Sequence, residues 1–138
     1  MYKVVIDTNV VISAMLTPAG NAARIIDLIN DEKLQICFND AILDEFLDEF
    51  IEVLARPHFG FSISEREGLI EGFRKFGLMI KPNESDIPFV DADDRIFHDV
   101  AKACEAELIT GNIKHYPNES FIMSPAAFMA SLEENSKE

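Results

Sequence analysis

Residues 90–112 read VDADDRIFHDVAKACEAELITGN. Three acids, Asp91, Asp93 and Asp94, stand within four positions, and an apolar helical face follows them directly. The pattern predicts a helix over 92–106 running into a short strand, ELIT, over 107–110. Carboxylates this close repel one another, so solvent, a bound cation or the chance crowding of an acidic chain has to account for them.

Outward from this stretch, short apolar runs alternate with helical patterns. KVVI (3–6) is a β-branched run ending at Asp7, the mark of a buried strand. NAARIIDLIND spaces Ala22, Ile25, Ile26 and Ile29 as one helical face, with Asn21 as its N-cap. LQICF (34–38) is a second strand, and a long amphipathic helix over 39–57, capped by Asn39 or Asp40, stops near Pro57. SISEREGLIEGFRKFG carries a capping box, Ser64 with Glu67, and a helix ending near Gly77. LMIKP (78–82) and FIM (121–123) are further strands; Ser124 then caps a last helix with Pro125 in its first position. This alternation means one α/β domain, residues 1–134, with a mostly parallel sheet of about five strands covered on both faces. Residues 135–138 read as a polar tail.

The charge is −13, from 12 Lys and Arg against 25 Asp and Glu, so no basic stripe for duplex nucleic acid is evident. Either nucleic acid is not the partner, or the acids lie away from the contact surface, or bound cations offset some of them. The same charge suits a basic or amphipathic protein partner. No run approaches the ~18 uncharged apolar residues that cross a bilayer. The N-terminus does not read as a signal peptide, so a cytoplasmic protein without membrane attachment is expected. Cys37 and Cys104, isolated and without metal spacing, are expected to be buried free thiols. His58, His98 and His115 lack ligand spacing and are expected in surface or capping roles. Phe59, Phe61, Phe73 and Phe76 read as core or interface residues, core for most of them.

In an open parallel sheet, ligands bind outside the carboxyl ends of the strands. Asp7 ends strand one, and Asn112 follows the LIT strand on a glycine-containing turn. Asp91, Asp93 and Asp94 begin the helix that leads into that strand. Glu45 and Glu49, one turn apart, share a face of the helix after strand two. Carboxylates gathered in this way are costly unless protonated or offset by cations. An oxygen-only cluster selects a hard divalent ion, Mg2+ or Mn2+, and such a site suits phosphodiester hydrolysis. Each residue also has a plainer reading. Asp7 at a strand end is often a cap, Asp91 and Asp93 suit a helix N-terminus, and Glu45 and Glu49 share their helix with Asp44, Asp48 and Glu52. Spacing alone leaves the two readings level.

VVIDTNVVISAML, NDAILDEF…VLARPHF, DADDRIFHDVAKACEAELITGN and IMSPAAFMASL, in this order, resemble the PIN domain, and more narrowly the PIN-family toxins of bacterial toxin–antitoxin systems. The likeness runs from about Lys3 to Leu132. It implies a three-layer α/β/α sandwich and a Mg2+- or Mn2+-dependent endoribonuclease site. Asp7 corresponds to the family's first acid, a direct metal ligand, with Thr8 and Asn9 holding its loop through hydroxyl and amide hydrogen bonds. The second acid is a Glu placed six residues after the polar residue that ends strand two. Counting from Asn39 gives Glu45, the preferred assignment, and counting back from VLARP gives Glu49. The third acid maps to Asp94, with Asp91 as a supporting carboxylate and Asp93 as an ordinary capping acid. At the fourth position many relatives read TGD; here TGN puts a neutral amide, Asn112, where it can coordinate through its carbonyl oxygen but adds no charge.

In that picture Asp7, Glu45 and Asp94 hold a divalent ion that activates water for attack on RNA, leaving a 5′-phosphate and a 3′-hydroxyl. Single-stranded RNA is the preferred substrate, since its backbone bends into a narrow acidic cleft. Lys114, Arg95, Arg56 and Lys3 are the cations available to steer phosphate. The resemblance further implies a cognate antitoxin, and homodimerisation is common in the family. Two alternatives stand beside it. One is a catalytically weak or inactive PIN-like binding module. The other is a phosphatase or phosphotransfer domain using Asp7 as nucleophile, against which Asn9 sits where such enzymes place a second, general-acid Asp.

Overall fold

Val4, Val5 and Ile6 are buried in unbroken succession. A strand that alternated inside and outside would bury only every second residue, so β1 has cover on both faces. The computed structural model describes residues 2–49, 52, 63–81, 89 and 94–136. Its five strands are β1 (Tyr2–Ile6), β2 (Leu34–Phe38), β3 (Leu78–Met79), β4 (Glu107–Ile109) and β5 (Ile122–Met123). They form one sheet in the order β3-β2-β1-β4-β5 with every pairing parallel. Val4 pairs with Ile36 on one side and Glu107 on the other, which puts β1 at the centre. The strand order reverses there, between β2 and β4, and that is where such sheets hold ligands. Helices cover both faces, completing the expected three-layer sandwich.

The helices are α1 (Thr8–Leu16), α2 (Asn21–Asn30), α3 (Asp40–Glu49), α4 (Ile63–Phe76), α5 (Arg95–Ala103) and α6 (Pro125–Ser136). The sequence pattern does not announce α1. Its Val and Ile residues favour strands, but burial of Val10, Val11 and Ala14 outweighs that preference. Two caps form as expected: Asn39 Oδ1 accepts from the Ile42 amide at 2.9 Å, and Ser124 Oγ from the Ala127 amide at 3.1 Å. Two do not. Gly20, not Asn21, occupies the N-cap of α2, and α4 begins at Ile63, so Ser64 lies inside its first turn and cannot open a capping box. The stretch of the 39–57 helix beyond Glu49 lies outside the described residues apart from Glu52, and so do Arg56, His58, Phe59 and Phe61.

The predicted helix over 92–106 ends earlier, at Ala103, for a definite reason. Glu105 takes φ 55°, in the left-handed region, and the Ala106 amide turns back to the Ala101 carbonyl at 2.8 Å. This is a Schellman turn, which usually employs glycine. The same turn closes α2, where Glu32 has φ 61° and the Lys33 amide meets the Leu28 carbonyl at 2.9 Å. Each delivers the chain into a strand, β2 or β4. Between α4 and β3, Gly77 is required by space: a methyl group there would run into the Phe38 ring, the Phe73 carbonyl and Ile36.

Phe73 is core, as expected, packed edge-on against Phe46. Cys37 and Cys104 are buried and unbridged, but they are not isolated. A hydrogen bond to Cys104, with burial, pushes the Cys37 thiol up, while the Cys104 thiol contacts the Val100 carbonyl at 3.1 Å. Among the described residues no helix is long and apolar enough to cross a membrane.

Candidate functional site

Asp7 and Asp94 both occupy N-cap positions, of α1 and α5, and neither side chain caps its helix. Aspartate at that place ordinarily accepts from the helix's own first amides, as the Asn39 side chain does for α3. Here the carboxylates are turned to other uses.

Those of Asp7 are explicit. Its Oδ2 accepts the Thr110 hydroxyl at 2.8 Å and the Tyr116 hydroxyl at 3.0 Å. The Asp7 amide donates to the Ile109 carbonyl at 3.0 Å, extending the β1–β4 ladder to the site. Asn9 Oδ1 accepts from the Gly111 amide at 3.1 Å, and the Asn112 amide donates to Thr110 Oγ1 at 3.0 Å. The DTN turn after β1 and the TGN turn after β4 are thus cross-linked side chain to backbone. Asn9 holds the loop as expected. Thr8 does not: its hydroxyl is buried and has no hydrogen-bond partner among the described residues. Asn112 is exposed, and its amide joins the turn to Thr110.

Tyr116 was not among the residues the sequence singled out. It follows a single 3-10 turn, Ile113–His115, with an extended backbone (φ −112°, ψ 156°), and its hydroxyl reaches Asp7. The ring is 7% exposed and packs edge-on against Phe89. Burial, then the charges of Asp7, Asp94 and Glu45, hold its phenol far above the ordinary tyrosine range. Geometry ties Asp7 and Asp94 to this neighbourhood, Asp7 through its bond to Tyr116 and Asp94 through its approach to His115, and the charge of Glu45 acts on the same phenol. Glu45 Oε2 and Asp94 Oδ2 are themselves shielded from solvent. His115 brings Nδ1 to 3.7 Å from Asp94 Oδ2 and is half exposed. Asp91 and Asp93 lie outside the described residues.

His98, expected in a surface or capping role, is fully buried. Its Nδ1 lies 3.0 Å from Asp99 Oδ1 and its Nε2 2.9 Å from Glu119 Oε2. It clasps the segment after Tyr116 to α5, with Phe89 and Phe121 against the ring.

The donors fit a hard divalent ion in kind, being carboxylate and hydroxyl oxygens, with Thr8 Oγ1 a buried oxygen beside Asp7. Among the described residues no three His, Cys, Asp or Glu side chains stand close enough to ligate one ion together. Oxygens of this kind would suit an ion that keeps part of its water shell, as Mg2+ does.

An all-parallel α/β domain with Asp7 at the end of its central strand, where the strand order reverses, defines a recognisable fold class. The chain belongs to the PIN domain family, whose pattern matches residues 3–114. It is 34% identical over 110 residues to an uncharacterized protein of Methanocaldococcus jannaschii, covering 80% of this chain and 70% of that one. A solved chain of VapBC2 from Rickettsia felis, determined bound to a DNA fragment from their promoter, shares the fold with a TM-score of 0.55. That match has 15% identity and covers 88% of this chain and 97% of the other. PIN domains are generally nucleases and typically use divalent metal ions.

Proposed function

We propose that this chain is a Mg2+- or Mn2+-dependent endoribonuclease, the toxin of a toxin–antitoxin pair, with Asp7, Glu45 and Asp94 as the residues that hold the ion. The observation that carries this reading is Asp7, an N-cap aspartate held by the buried Tyr116 hydroxyl and not by its own helix, with the charges of Asp94 and Glu45 acting on the same phenol. Glu45 is preferred to Glu49 because its charge acts on the same phenol. Asp91 stays a supporting carboxylate.

When bound, a divalent ion supplies a water of lowered pKa and positive charge against the phosphate. The chain's own part is to hold and orient. Thr110 and Tyr116 fix Asp7, Asn9 and Gly111 lock the two turns together, and the N-termini of α1 and α5 lend partial positive charge to the acids in front of them. Arg95, stacked over Phe89 at 5.5 Å, and exposed Lys114 stand beside the acids as phosphate contacts. Lys3 lies near the start of β1, away from Asp7, and its charge acts on the two cysteines instead. A single strand bends into so acidic a cleft more readily than a duplex. The partner proposed is an antitoxin, by analogy with the VapBC2 complex and because an acidic surface suits a basic protein. Homodimerisation remains an expectation of the resemblance.

The test is cleavage of single-stranded RNA by the purified chain with Mg2+, with Mn2+ and with chelator. Products should carry 5′-phosphate and 3′-hydroxyl ends, and chelator should stop the reaction. A binding module without catalysis is the second reading, favoured by the lack of a three-acid cage among the described residues and by the neutral Asn112. It predicts no cleavage and no rise in melting temperature at millimolar Mn2+.

A further inference from the structure

Tyr116 is the one buried hydroxyl of an aromatic ring set against Asp7, and nothing in the fold requires a polar atom there. Its ring lies in apolar company, with Phe89 edge-on at 6.2 Å between centroids, so phenylalanine would serve the packing equally well. A buried tyrosine needs a partner for its hydroxyl, and this one has taken a charged oxygen at 3.0 Å. That bond shares Oδ2 with the Thr110 hydroxyl. One donor leaves a carboxylate free to rotate about its terminal torsion, whereas two donors from different directions on one oxygen fix its plane. Thr110 approaches from the end of β4 and Tyr116 from beyond the 3-10 turn, so the two come from separate segments. With Oδ2 engaged twice, the direction of the second oxygen is set in advance. The Tyr116-bearing segment is in turn held to α5 through Glu119 and His98, 2.9 Å apart.

We infer that Tyr116 is a positioning residue for the ion site: its hydroxyl orients the Asp7 carboxylate, so that the second Asp7 oxygen is presented to a divalent cation before that cation arrives. This rests on the metal-site reading above. Preorganisation of this kind appears in affinity, because the orienting cost is met during folding and not on binding.

The experiment is a Mn2+ titration of the whole chain and of Tyr116→Phe, followed by melting temperature, with urea unfolding of both in chelator. Tyr116→Phe is expected to weaken apparent Mn2+ affinity by about 10-fold, within the range seen for outer partners of metal ligands. A role in packing alone would lower stability equally with and without Mn2+ and leave the affinity unmoved, and that result overturns the inference. Combining the change with Asp7→Asn supplies the second measurement. The urea midpoint should fall on Tyr116→Phe in the native background and fall much less in Asp7→Asn, since the charged partner is already gone. Equal falls in both backgrounds also overturn it. If the native chain itself shows no Mn2+ response, the metal-site reading fails and this inference fails with it. A native response shared unchanged by Tyr116→Phe sinks the inference alone.

Discussion

Thr110 Oγ1 and Asp7 Oδ2 lie 2.8 Å apart although 103 residues separate them in the chain. The same hydroxyl accepts the Asn112 amide, so one oxygen serves the strand-one acid and the turn after β4 together. Thr110→Val keeps the shape and removes both bonds. It should cost about 1–3 kcal/mol, the range for stranding a buried polar group, read as a lower urea midpoint. A change inside experimental scatter would show that neither bond matters to folding.

The acids are expected to separate by role. Asp94→Asn and Glu45→Gln should each lower Mg2+-dependent RNA cleavage by more than about 100-fold, beyond what outer-shell losses typically cause. Glu49→Gln should leave the rate within a few-fold. In chelator, Asp94→Asn should melt higher than the native chain, because one of several mutually repelling charges is gone. The reverse ranking of Glu45 and Glu49 would move the second ligand one turn along α3.

Both Schellman turns carry a strained glutamate. A side chain in the left-handed region costs about 1–2 kcal/mol, most of which glycine avoids. Glu32→Gly and Glu105→Gly should therefore each raise the melting temperature, and together raise it nearly additively, since the two turns are distinct. Gly77→Ala should act oppositely, costing about 1–3 kcal/mol through overpacking against Phe38 and Ile36.

Glu107 opens β4 with Oε2 buried and without a hydrogen-bond partner among the described residues. Burial raises its pKa above the ordinary 4.5. A carboxyl whose folded pKa is raised binds its proton more tightly in the folded state, so stability falls as pH climbs from about 4.5 through that raised value. Glu107→Gln removes the dependence. The variant should gain over the native chain at neutral pH, and the gain should shrink below pH ~4.5. Melting curves across pH 4–8 check this, and a constant difference would point to packing instead.

The sheet was legible because its strands are short apolar runs ended by polar residues; LQICF matches β2 residue for residue. The place of Asp7 at the end of the central strand could be anticipated from where parallel sheets hold ligands, whatever its individual chemistry. α1 was hidden by its own β-branched residues. Tyr116 was hidden because a lone tyrosine beyond a turn resembles core, and only the backbone of that turn aims it at Asp7. His98 escaped because its partner Glu119 lies 21 positions away, with no periodic signal joining them. Thr8 went the other way, credited with a bond that it does not make to any described residue.

Central placement of β1 has a consequence for synthesis. Asp7 is made 103 residues before Thr110 and 109 before Tyr116, the two side chains that seat it. Until they emerge, β1 has β2 as its sole completed neighbour, and Asp7 is an acid with nothing to orient it. Contacts this distant in sequence form late. A site built on them stays unassembled for as long as β4 and the turn beyond it are still to be made.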